Sequence, residues 1–249
     1  MNKKYLEVCC YSIDSCLIAQ KGGADRVELC ANITEGGTTP DYATIVYAKD
    51  LLKIDTMVMI RPRGGDFLYS ETEFALMQKN IQLCKTIGVK GVVLGLLTAE
   101  GNVDKERTKL LVEMASPMEV CFHRAVDMAR DYFHAIEDII DCNCKRILTS
   151  GQRNKAIEGL QNISQAQNLY GKQIEIMAGS GVNEENVKEI YDLSGISNFH
   201  FSAKKTINGN MKFRQPAVSM GSEFIDEYSL VVMDINKVKQ VREILDFKL

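Results

Sequence analysis

Charged and polar residues that sit in, or close, short apolar runs are the first chemical signal in this sequence. Glu7 lies in Leu6–Cys10 and Glu28 in Arg26–Cys30, while Arg61 ends Thr56–Arg61. His123-Arg124 closes the run that begins at Glu119, Thr149-Ser150-Gly151 follows Arg146, and His200 lies in Asn198–Ser202. Two carboxylates, two imidazoles and a guanidinium are the groups of acid–base chemistry on a bound anion. Glu7 or Glu28 would act as the base and His123 or His200 as the acid or electrophile, with Arg61 and Arg63 holding the anionic group. The plain alternative is a salt-bridged polar plug. Burying two unpaired carboxylates costs several kcal/mol, so a cation is expected beside them either way. Six polar run ends together, with two histidines among them, favour a site.

Two further patterns suit ligands. Glu7 and Cys9 share one face of an extended strand, as do Glu28 and Cys30, and the same 21-residue spacing separates both pairs. On neighbouring strands, Cys9 and Cys30 would face one another near the opening, where two thiolates could hold a soft ion such as Cu(I). As lone cysteines they would be ordinary core residues. Arg61-Pro62-Arg63-Gly64-Gly65-Asp66 combines guanidinium groups with glycines that free backbone N–H groups toward an anion. Gly179-Ser180-Gly181, with a helix expected from about Asn183, reads as a phosphate cradle. Arg124, Ser150 and Ser202 complete the candidate anion contacts, and Lys204-Lys205 adds positive charge on the same side. Cys142-x-Cys144 precedes its strand and belongs at the opposite rim.

The elements that must position these groups recur eight times. Gly91–Leu94 and Ile174–Met177 join the six runs already named, and their interiors are apolar nearly throughout, as in strands covered on both faces. Between them lie helix-period segments with capping signals, among them Ser70-Glu71-Thr72-Glu73. Gly22-Gly23, Gly88, Asn143 and Gly195 mark helix ends. Eight strand–helix units in 249 residues predict a single (β/α)₈ barrel over residues 1–249, with a C-terminal helix at about 234–247. In such a barrel all strand C-termini share one rim, so the polar ends converge. Residues 31–40 are expected to form a long loop after the second strand, and residues 204–233 a long, mixed segment after the eighth.

Composition excludes several classes. Thirty Lys and Arg against 33 Asp and Glu give a net charge of −3, which does not suit nucleic acid or an anionic membrane surface as the main partner. No stretch approaches the roughly 20 apolar residues of a membrane span. Eight cysteines without CxxC spacing read as free thiols in a reducing, cytoplasmic setting. The eleven methionines read as core. No lysine stands at a strand's inner C-terminal end, which argues against Schiff-base chemistry.

Several strings resemble the CutC family. They are Leu-Glu-Val-Cys at 6–9, Gly-Gly-Ala-Asp-Arg-Val-Glu-Leu-Cys at 22–30, Met-Ile-Arg-Pro-Arg-Gly-Gly-Asp-Phe at 59–67, Phe-His-Arg-Ala at 122–125, Arg-Ile-Leu-Thr-Ser-Gly at 146–151 and His-Phe-Ser-Ala at 200–203. The likeness runs from residue 6 to about 221. It implies a cytoplasmic, usually oligomeric barrel taking part in copper homeostasis, with Cu(I) held by the residues corresponding to Cys9 and Cys30. Where the family usually has three glycines, this chain has Ala178-Gly179-Ser180-Gly181. Two functions therefore stand at this stage. One is Cu(I) handling through the cysteine pair. The other is an isomerase, lyase or hydrolase acting on a small anionic or phosphorylated molecule, with the two glutamates and a histidine as an alternative divalent-metal set.

Overall fold

Short apolar strands that bury both faces need helices outside and a packed lumen within. The computed structural model, which describes residues 3–218, 220 and 226–247, shows that arrangement. The strands β1 (Tyr5–Cys10), β2 (Arg26–Leu29), β3 (Asp55–Met59), β4 (Gly91–Leu94), β5 (Glu119–Phe122), β6 (Arg146–Thr149), β7 (Glu175–Ala178) and β8 (Asn198–Phe201) run parallel in chain order. β8 pairs back onto β1 with Glu7 opposite His200, which closes the barrel. The helices around it are α1 (Ile13–Gly22), α2 (Tyr42–Leu51), α3 (Glu71–Ile87), α4 (Lys105–Ala115), α5 (Tyr132–Asp141), α6 (Leu160–Tyr170), α7 (Val187–Ser194) and α8 (Ile235–Phe247). This is the (β/α)₈ architecture expected, with the C-terminal helix in place.

The local signals act as their chemistry predicts. Ser70 and Glu73 cap each other's backbone N–H at the start of α3, and Gly23, Gly88, Asn143 and Gly195 all take positive φ before strands. One expectation needs correction. α7 begins at Val187, not near Asn183. The Asn183 side chain instead accepts from the Glu185 and Asn186 N–H groups, which holds the preceding turn outside the helix. The long 204–233 segment contains regular structure. Lys204–Asn208 (β9) and Ser229–Met233 (β10) pair antiparallel as a separate ribbon, while 219 and 221–225 between them lie outside the described residues. No helix among the described residues is long and apolar enough to cross a membrane.

Alternation places every second strand residue inside the barrel. The outer layer joins sheet to helices. The lumen holds its own cluster of Cys9, Cys30, Met57, Met59, Val93, Cys121, Leu148 and Met177, with Tyr11 packed above. Six of these eight residues carry sulfur, so three of the methionines read as general core are lumen residues. At the N-terminal end Arg146 bridges Glu119 and Glu175 and closes the floor.

Candidate functional site

The lumen opens at the strand C-termini into a cavity of about 840 Å³. Its wall includes Cys9, Tyr11, Glu28, Arg61, His123 and His200. Four of the five residues expected to do chemistry therefore converge there, together with one of the two cysteines. Glu7 lies a step deeper and is fully buried.

The deepest charges form a chain. Arg26 shares a strand face with Glu28 and pairs through its Nε with Glu7 Oε2, while its Nη2 donates to the Met177 sulfur. Glu7 Oε1 lies 3.8 Å from His200 Nε2, which in turn is 2.9 Å from Glu28 Oε2. Burial works against the His200 cation, but the charge and hydrogen bonds of Glu28 and Cys9 hold its pKa well above the usual value. Burial alone would raise Glu28; the facing His200 keeps it below the ordinary glutamate range. Two carboxylates are thus balanced by Arg26 and a protonated His200. A divalent ion among Glu7, Glu28 and His200, which lie within 4.8 Å of one another, would meet two resident positive charges.

Cys9 and Cys30 bring their sulfurs to 3.9 Å, with Cys30 also 3.6 Å from Glu28 Oε2. The Cys30 thiol lowers the Cys9 pKa against the effect of burial, and Cys30 itself is pushed well up by Cys9 and by burial. Cys30 lies under Gly37, where an added Cβ would come within 3.2 Å of its sulfur. All eight cysteines are free and buried. Cys142 gives its S–H to the Lys105 carbonyl, far from the mouth.

Arg61 and Arg63 have different surroundings. Arg61 is 7% exposed and clasps the carbonyls of Glu35, Gly37 and Gly65, while its Nε has no partner. Arg63 is outside the cavity wall; Glu73, Asp66 and the carbonyls of Gly64 and Leu68 take its donors. Gly64 is also off the wall and packs against Glu35, whereas Gly65 and Asp66 line it.

His123 is 4% exposed and caps the short turn that follows β5, its Nδ1 accepting from the Ala125 N–H at 3.2 Å. That bond leaves the proton on Nε2 of the neutral ring, and Nε2 has no partner among the described residues. Burial first, then the Arg61 charge, takes its pKa down to about 3. Gly95 makes room for the ring, since a Cβ there would lie 2.5 Å from Nδ1. The Phe67 ring lies 5.0 Å from the His123 ring, tilted by 54°, and 5.2 Å from the Arg61 guanidinium.

Of the remaining candidates, Arg124, Ser180, Gly181 and Ser202 line the cavity, and Ser150 and Gly179 do not. Arg124 and Ser150 both bind Asp127, whose carboxylate also takes the Thr149 hydroxyl and the N–H groups of Ser150 and Gln152. Ser180 and Gly181, both at positive φ, line the cavity with Ser202 and Lys204, whereas Gly179 sits behind Leu148 and His200. Lys205 pairs with Asp234. Arg26, Tyr11, Phe67 and Asp127 were missed by the sequence reading. Arg26 alone had a signal, two residues before Glu28 on the same strand face.

Comparison with known proteins agrees with this picture. The CutC family model matches residues 4–205, ending short of the 221 to which the resemblance reached. A relative named "family protein CutC" from Chromobacterium violaceum is 44% identical over 243 residues, covering 98% of each chain. The human "Copper homeostasis protein cutC homolog" is 42% identical over 240 residues, covering 96% of this chain and 88% of its own. A crystal structure of CutC from Streptococcus agalactiae superposes with a TM-score of 0.77 at 32% identity, over 80% of this chain and 98% of that one.

Proposed function

The chain belongs to the CutC family, and on that footing we propose that it is a copper-homeostasis protein that takes up one Cu(I) ion between Cys9 and Cys30. One observation carries the reading: two buried sulfurs 3.9 Å apart, one of them on the wall of the mouth cavity. Soft thiolates select Cu(I). With a metal–sulfur bond of about 2.3 Å, as for zinc thiolates, a 3.9 Å separation corresponds to an S–metal–S angle of roughly 115°. That angle leaves space for a third donor, and Glu28 has a carboxylate oxygen within 4.8 Å of both sulfurs. The human relative is named for copper homeostasis, which supports copper as the metal. Cytoplasmic placement and a homo-oligomer belong to this reading through the family resemblance.

An anaerobic competition titration with a chromogenic Cu(I) chelator tests it. Wild-type protein should take one equivalent, lost in Cys9→Ala/Cys30→Ala and kept in Cys142→Ala/Cys144→Ala. Weak uptake beyond one equivalent, unchanged by the Cys9/Cys30 substitutions, would sink the proposal. Copper accounts for the sulfurs; it gives no role to His123, Arg61 or the cavity above.

A further inference from the structure

Arg61 is a buried cation with no carboxylate in ion-pair range among the described residues. It is 7% exposed, three backbone carbonyls take its terminal nitrogens, and its Nε donor has no partner. Buried charges are normally paired, and buried donors are normally satisfied. His123 shows the second half of the same deficit. Its Nε2–H is buried and unpartnered, and its ring orientation is set by the Ala125 N–H and by the space left at Gly95. Both groups lie against the Phe67 ring, at 5.2 and 5.0 Å, on the wall of the 840 Å³ cavity. The cluster thus has one net positive charge and two donors too many, and what it lacks is an anionic oxygen.

We propose that the mouth is a binding site for a small organic anion whose charged oxygens accept from His123 Nε2–H and Arg61 Nε–H beneath Phe67. The body of the ligand lies in the cavity against Met59, Leu148 and Phe201. A carboxylate and a phosphate monoester share the required chemistry. A neutral imidazole gives such a ligand a directed hydrogen bond without a proton, and Arg61 supplies the charge. Neither Cys9 nor Cys30 supplies a hydrogen bond to this ligand, although Cys9 lines the same cavity.

The test is a titration of the ¹⁵N-labelled full chain, following the His123 imidazole resonances, with malonate, glycerol 3-phosphate and inorganic phosphate as separate probes. Malonate or glycerol 3-phosphate should give a saturable shift of the Nε2–H signal; which one does so separates the two sources of anionic oxygen. Inorganic phosphate, with nothing to fill the cavity, should bind far more weakly. His123→Asn keeps a side-chain oxygen to cap the Ala125 N–H, while its shorter amide leaves no donor at the Nε2 position. By calorimetry it should weaken the responding probe about 10–100-fold, the weight of one hydrogen bond to a charged acceptor. Cys142→Ala/Cys144→Ala, at cysteines far from the mouth, should bind that probe as wild type does. Two outcomes overturn the proposal: no shift from either organic probe at millimolar concentration, or undiminished affinity in His123→Asn.

Discussion

Replacing Arg26 by alanine should damage this barrel far more than loss of one side chain at a strand start would suggest. The Arg26 and Glu7 side chains are 5% and 0% exposed and pair inside the lumen. Removing the arginine strands a buried carboxylate. The nearest remaining cation is His200, at 3.8 Å from the other oxygen and already engaged by Glu28. Breaking a buried pair from one side costs about 3–5 kcal/mol. At about 2–4 °C per kcal/mol for a chain of this size, the melting midpoint should fall by about 6–20 °C. Glu7→Gln/Arg26→Met removes both charges and fills the space, so it should recover most of the loss. Urea unfolding followed by circular dichroism measures both variants. A loss below about 1 kcal/mol in Arg26→Ala at unchanged slope, or a double variant no better than the single one, would refute the reasoning.

Two further tests concern the mouth. The His123 ring should stay neutral in NMR titrations down to about pH 4, because its folded pKa of about 3 lies below the ordinary 6.5. A depressed folded value means that the unfolded chain binds the extra proton. Its stabilising contribution is therefore present above pH 6.5 and is lost as pH falls toward 3, so His123→Asn should flatten the acid limb of the stability curve. A ring titrating near 6.5 would contradict this. Gly95→Ala puts a methyl 2.5 Å from His123 Nδ1, and it should cost about 1–3 kcal/mol in thermal unfolding and displace the ring resonances. Unchanged resonances would show that the ring has room to spare.

Much of the architecture was legible because it rests on periodicity. Apolar runs of four to six residues, separated by capped helical stretches, specify strands buried on both faces. The two-residue repeat then put Glu7 with Cys9 and Glu28 with Cys30 on the lumen side. The same repeat also held Arg26, but a charge at a strand start reads as a boundary to solvent. Only closure of the barrel shows that Arg26 Nε meets Glu7. Asp127 was not legible, because its partners Thr149, Ser150 and Gln152 come from the next strand end. Arg63 beside Arg61 looked like a second anion ligand; its pairing with Glu73 depends on how α3 leaves the loop. The ribbon was hidden because its strands are about 20 residues apart, with no two-residue turn to announce the pairing.

The way α8 meets α1 has a consequence for how the molecule is made. Gly22 is bare because Val238 of α8 presses on it, and Arg242 reaches the Asp25 carboxylate and the Lys4 carbonyl across more than 200 residues of chain. On a ribosome adding about 5–20 residues per second, a sequence gap of that size keeps α1 waiting roughly 10–45 s for its cover. Through that interval the side of α1 that meets α8 stays uncovered, while its contacts with β1, β2 and α2 can form early. The nascent chain carries a flank of α1 that only the last helix covers, and slower translation lengthens the time it is open to chaperone capture.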